Sequence, residues 1–209
     1  MVSAIKVAEV GVIKLPGSNP AGILAAFRRI QIRAELLQRA EDVGKFRRIV
    51  IPGVGNFGPA SAYLWDSGIA VKVKEQIAAG VPTLGICLGF QLLCSESEES
   101  QKSRGLGVLE GRARRLTGSA DRRVPHIGWS KLNSLTVPTT FGIEGADVFY
   151  FAHSYEVTGD FSLGEVVLAD YAGTRFVAAV AIENVLGVQF HPEKSNAAGL
   201  RLLRNFVSS

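Results

Sequence analysis

Three short stretches of the chain hold side chains with which acyl chemistry could be done. The first is Gly85-Ile86-Cys87-Leu88-Gly89, where the apolar run Val81 to Ile86 gives way to a helical pattern from Leu88, so that Cys87 falls at the corner. Glycines at i−2 and i+2 allow a sharp strand-to-helix elbow without a clash, as in the Gly-x-Ser-x-Gly turn of serine hydrolases. A helix N-terminus also favours thiolate over thiol. The stretch alone leaves two readings of Cys87, an exposed nucleophile or a small buried hydrophobe beside a packed turn.

A cysteine nucleophile needs a base, and the base needs a group to orient it. Of the three histidines, His126, His153 and His191, the last directly follows an apolar strand, Val185 to Phe190. Glu193 lies two residues on, and in an extended segment i and i+2 point the same way, so its carboxylate can hold the far nitrogen of the imidazole. Taken singly, His191-Pro192-Glu193 reads equally as an exposed histidine beside a helix-capping glutamate. Attack on an acyl carbon creates an oxyanion that calls for backbone N–H donors. The amide of Leu88 is one, and the Gly53-Val54-Gly55 turn offers others, although by itself that turn is also a plain tight turn. Together the three stretches describe acyl transfer through a thioester.

The elements that must position these groups follow from apolar runs and breakers. Strands are expected at Ile5 to Leu15, around Ile32 to Leu36, at Arg47 to Ile51 and at Val81 to Ile86. Helices are expected over Ala21 to Ile30, Pro59 to Ala79 and Leu88 to Cys94. In the second of these helices Ala62, Leu64, Trp65, Ile69, Val73 and Ile77 share a broad inner face. This βαβ, βαβα order predicts a mostly parallel open α/β sheet with helices on both faces and ligands outside the carboxyl ends of its strands. From Gly107 the texture changes to a smaller antiparallel β region: short runs at Gly107-Val108, Arg112 to Leu116, Val124 to Leu135, Val148 to Phe151, Tyr155 to Val157, Gly164 to Ala169 and Arg175 to Ile182. A closing helix is expected over Ala197 to Val207.

The length of 209 residues suits a single domain over 1–209. No apolar run spans a bilayer and the first residues lack the h-region of a signal peptide, so a cytoplasmic, membrane-free protein is expected. Cys87 and Cys94 on one helix would stand roughly 10 Å apart along its axis, too far to bridge. A net charge of +4 is mild, and the arginines at 28-29, 47-48, 112, 114, 115 and 122-123 lack the interleaved aromatics of a nucleic-acid surface. They read as solvated faces, with the stretch from Arg112 to Arg123 as the one candidate for an acidic protein surface. No metal-ligand spacing or phosphate-binding glycine loop appears, so no cofactor is expected.

The set Pro52-Gly53-Val54-Gly55-Asn56-Phe57, Gly85 to Gln91 and Gln189-Phe190-His191-Pro192-Glu193-Lys194-Ser195 resembles the class I (triad) glutamine amidotransferases, whose fold is flavodoxin-like. With Val124 to Trp129 and Tyr150 to Tyr155, the likeness extends over nearly the whole chain and leans toward the glutaminase subunits of a two-subunit synthase in histidine biosynthesis. The resemblance implies that Cys87 attacks the side-chain carboxamide of glutamine, that His191 oriented by Glu193 shuttles protons, and that Gly53 and Leu88 line the oxyanion hole, completed by a rearrangement of the Gly53-Val54 peptide. It implies Gln91, Ser154 and Tyr155 as glutamine-holding residues. It also implies a heterodimer with a (β/α)8-barrel cyclase subunit that receives the ammonia. The chain departs from the family pattern in Leu15 to Pro20, which lacks Gly-x-Gly-Asn, and at Ser130, where asparagine is usual.

Two other readings compete. The amidotransferase subunit of anthranilate synthase carries Ser-Pro-Gly-Pro-Gly at the oxyanion turn and His-Pro-Glu-Ser at the end, unlike this chain. A catalytically silent binding relative would have no physical need for Cys87, His191 and Glu193 together.

Overall fold

The apolar runs pair as parallel strands, each shorter than the run that encodes it. The computed structural model describes residues 9–132, 142–144 and 147–208; the parts of the expected strands at 5–8 and 133–135 lie outside them. Strands β1 (Val10–Ile13), β2 (Ala34–Leu37), β3 (Arg48–Ile51) and β4 (Thr83–Ile86) alternate with helices α1 (Ala21–Arg29), α2 (Phe57–Asp66), α3 (Ile69–Ala78) and α4 (Leu88–Leu93). Then follow β5 (Glu96–Ser97), β6 (Gly111–Arg115), β7 (His126–Lys131), β8 (Val148–His153), β9 (Tyr155–Gly159), β10 (Glu165–Tyr171), β11 (Thr174–Ile182) and β12 (Val185–Val188), before the closing helix α5 (Asn196–Ser208).

The main sheet has the order β10-β11-β12-β4-β3-β1-β2. From β2 through β12 every pairing is parallel, and β11 and β10 extend it as antiparallel strands. All residues of β1, β4 and β12 are buried, because helices cover both faces. Side chains alternate between the two layers: Val10 and Val12 of β1 and Val50 of β3 pack with Ile23 and Phe27 of α1 and Leu202 and Phe206 of α5. Ile13, Ile49 and Ile51 face the other way, onto Phe57, Leu64, Ile69 and Leu93 of α2, α3 and α4. Smaller sheets, β5-β6-β9 and β7-β8, stand beside this frame.

Several expectations need correction. The helix expected over 59–79 is two helices, broken at Ser67-Gly68: Gly68 takes φ 75, and the Ser67 hydroxyl donates to the Tyr63 carbonyl at 2.6 Å, closing the first helix. Ala62 is exposed rather than on the inner face, whereas Leu64, Ile69 and Val73 are buried as expected. Gly107-Val108 forms no strand, and β5, only two polar residues long, carries no alternating pattern that could announce it. The expected antiparallel region is present, and two of its strands, β10 and β11, complete the main sheet. Arg122 is buried, contrary to a solvated face. Among the described residues no helix is long and apolar enough to cross a membrane.

Candidate active site

Cys87 links β4 to α4 with φ 48 and ψ −103, a backbone state that non-glycine residues rarely adopt and that tends to be held in place at functional sites. Its amide donates to the Val188 carbonyl at 2.7 Å, and its carbonyl accepts the Gln91 amide at 3.1 Å, so the corner is fastened on both sides. A Cβ on Gly89 would collide with the Ile51 carbonyl, and one on Gly85 would come within 2.7 Å of the Gly89 carbonyl oxygen. The elbow thus needs both flanking glycines. Gly53, just beyond β3, has no room for a side chain either, because a Cβ there would collide with the Ile86 carbonyl and approach the Cys87 Cβ to 2.7 Å.

His191 arrives from the carboxyl side of β12. Its Nδ1–H donates to Glu193 Oε1 at 2.9 Å. The expected pairing forms, but Pro192–Lys194 is a 3-10 turn rather than an extended segment, so the geometry comes from the turn and not from strand alternation. The turn is clamped to β8: the His191 amide donates to the Tyr150 carbonyl at 2.8 Å, the Tyr150 amide to Ser195 Oγ at 3.0 Å, and the Ser195 hydroxyl to the His191 carbonyl at 2.6 Å. His191 is buried, not exposed. Burial alone would lower its pKa, but hydrogen bonds and charge from Cys87 and Glu193 outweigh this and raise it to about 9. At neutral pH the imidazole therefore holds the proton beside the sulfur. A folded pKa raised above 6.5 gives stability that is fully present below pH 6.5 and is lost as pH climbs through about 9. Cys87→Ala should accordingly move the His191 titration, followed by NMR, down from about 9 toward 6.5, because it removes one of the two groups that raise it.

A cavity of about 310 Å³ opens over the thiol. Gly53, Leu88, Gln91, Ser154 and Tyr155 line it together with Cys87 and His191, and Glu193 holds the imidazole through its Nδ1. The site residues expected from sequence are thus brought together in one place. A larger open groove, about 590 Å³, between Ser95, Gly111 and Asp160 contains none of them. Two residues went unassigned in the sequence reading. Gln189, fully buried, aims its amide Nε2–H at Cys87 Sγ from 3.5 Å; it stood inside the quoted motif, two residues before His191. Glu99 lines the cavity and accepts the Phe57 amide at 2.9 Å, at the start of α2; nothing in the acidic run 96–99 marked it out. Cys94 is of another kind: burial pushes its thiol up to about 12, and both cysteines are free.

A strained cysteine on a parallel-strand elbow, a histidine–carboxylate pair and glycine amides on the neighbouring strand end define a thiol-dependent acyl-transfer site. The family model for class-I glutamine amidotransferases matches residues 19–209, and the chain belongs to that family. A curated relative, "Imidazole glycerol phosphate synthase subunit HisH" of Chlorobaculum tepidum, is 37% identical over 190 residues, covering 90% of this chain and 94% of its own. "Imidazole glycerol phosphate synthase hisHF" of Emericella nidulans is 33% identical over 90% of this chain, which accounts for 36% of that longer protein. Among solved structures, "Crystal structure of glutamine amidotransferase" superposes with a TM-score of 0.76 at 24% identity, covering 95% of this chain and 97% of the other, a likeness of fold.

Proposed function

We propose that this chain, acting as one amidotransferase domain in the cytoplasm, is the glutaminase subunit of imidazole glycerol phosphate synthase and supplies ammonia to a (β/α)8-barrel cyclase subunit in histidine biosynthesis. The observation that carries this reading is the convergence of Cys87, His191 and Glu193 over a cavity in a chain so similar to HisH subunits.

The chemistry follows from the placement of the groups. Cys87 sulfur attacks the glutamine carboxamide carbon, and the oxyanion is met by the Leu88 amide and the Gly53-Val54 turn. His191, already protonated, gives its proton to the departing nitrogen; the C–N bond breaks, ammonia leaves, and a γ-glutamyl thioester remains. Water then attacks, His191 takes its proton back, the C–S bond breaks and glutamate is released. Glu193 keeps the imidazole oriented through both halves. Gln91, Ser154 and Tyr155 hold the glutamine, and the Glu99 carboxylate suits its ammonium group. The reading of a barrel partner is supported by the outer face of β7, where Ile127, at the cavity rim, and Trp129 stand 63% and 50% exposed. The fused hisHF protein, in which a HisH-like portion is continuous with further chain, supports it as well.

Glutamate release from glutamine, measured for the purified chain alone and with a cyclase subunit plus its nucleotide ligand, is expected to be slow alone and to rise steeply with both. No glutamate in either condition, with the fold intact by circular dichroism, would overturn the assignment.

A further inference from the structure

Two histidines that the mechanism does not use, His126 and His153, lie buried opposite one another across the β7-β8 pair, with their rings meeting edge-on. His126 Nδ1 and His153 Nε2 are 3.1 Å apart. His153 Nδ1 is 2.8 Å from the Tyr155 carbonyl, and His126 Nε2 is 3.1 Å from the Ser130 hydroxyl. These contacts have one consistent direction. A carbonyl can only accept, so His153 carries its proton on Nδ1; its Nε2 then accepts from His126 Nδ1–H, and His126 Nε2 accepts from the Ser130 hydroxyl. The Tyr155 carbonyl at the end of the chain also accepts from Gln91 Nε2 at 3.3 Å, and Tyr155, Gln91 and His153 all line the cavity over Cys87.

We propose that Ser130, His126 and His153 form a directed hydrogen-bond relay that positions the Tyr155 carbonyl, and with it the Ser154-Tyr155 and Gln91 edges of the glutamine pocket. This rests on the glutaminase reading given above. The three are positioning residues, since none of them meets the reacting atoms.

The surroundings hold the relay in that one state. His126 is sandwiched between Tyr171, with ring centroids 3.9 Å apart, and Phe151, at 4.9 Å, so the ring cannot swing away. Its bond to Ser130 spans four residues of one strand, about 13 Å between α-carbons if the strand were straight. Gly128, at φ 147, lies between them where the strand must curl. Burial, with a smaller contribution from the Arg122 guanidinium, lowers the His126 pKa to about 4; burial likewise lowers that of His153 to about 3. Both rings are therefore neutral at physiological pH, as a one-way chain requires. Ser130 and His126 sit on the inner side of β7, whose outer side bears the exposed Ile127 and Trp129, so whatever seats on that face bears on the strand that starts the relay.

The test compares two substitutions with the same branched side-chain skeleton at one position. His126→Asn keeps a donor, Nδ2–H, close to where Nδ1–H stood, whereas His126→Leu removes it. In the complex with the cyclase subunit, His126→Leu is expected to raise the glutamine KM about fivefold to tenfold, the size of one lost neutral hydrogen bond, with kcat within about twofold of wild type. His126→Asn should restore KM to within about twofold. Equal shifts in the two variants, or no shift in either, would reduce the pair to core packing and overturn the relay. Long-range 1H–15N spectra of the wild-type full chain give a second readout that needs neither variant nor turnover. Both rings should show the Nδ1–H tautomer at pH 7, and an Nε2–H tautomer in either would also overturn the proposal. If the wild type shows these tautomers but hydrolyses no glutamine under any condition, the glutaminase reading has failed and the relay has not.

Discussion

Cys87→Ala is expected to abolish glutamine-dependent synthesis by the two-subunit complex, by at least about 10⁴-fold, while synthesis from added ammonia stays at the wild-type rate. The substitution deletes the only atom that can form the thioester, and water in its place has no elbow to hold it. The elbow itself should survive, because the Cys87 amide and carbonyl keep their bonds to Val188 and Gln91 and the sulfur faces a cavity; the buried Gln189 amide loses one partner. The two substrates separate chemistry from architecture: glutamate release and ammonia-driven product formation are measured on the same preparation. If ammonia-driven synthesis disappears too, Cys87 is holding the subunit or its interface together, and the mechanism proposed for it fails.

The second large effect is on stability. Gly89→Ala would place a methyl group against the Ile51 carbonyl at the end of β3, backbone against which no rotamer change can give relief. Overpacking against rigid backbone belongs at the upper end of its usual range, about 3 kcal/mol. For a chain of this size that is a fall of roughly 6–12 °C in Tm. Gly44→Ala is the matching control, since an added Cβ there meets nothing within 4 Å and its φ lies outside the positive region. Thermal unfolding of the two variants should therefore diverge sharply. Similar midpoints would mean that the elbow can relax and that its tight glycines are incidental.

The elbow was legible because its information is local. Gly85, Cys87 and Gly89 lie within five residues, and the change from an apolar run to a helical pattern marks the corner without reference to anything distant. The histidine–glutamate pair was legible as a pair but not as a geometry, because a proline and a clamp from Tyr150 and Ser195 decide that the segment turns. The break at Gly68 was signalled by Ser67-Gly68 and was overridden by an apolar periodicity that runs through it. Arg122 was read as exposed on its charge, and its burial beneath Tyr171 depends on a strand some fifty residues away in sequence. The partnership of His126 with His153 is also invisible locally, since only the β7-β8 register brings the two rings opposite one another.

The three sources of the catalytic groups, the ends of β3, β4 and β12, are adjacent parallel strands, with Gly85 paired to Ile51 on one side and to Gly187 on the other. The spacing of the nucleophile, the oxyanion turn and the imidazole is therefore graduated in units of the interstrand distance, about 4.8 Å, as on a ruler whose marks are backbone hydrogen bonds. Loops around the site can vary in length without moving the marks. The same ruler ties function to the centre of the sheet, the part of such a fold that opens last. Denaturants would then erase the site and the sheet in one step, with no half-open form that keeps one and not the other.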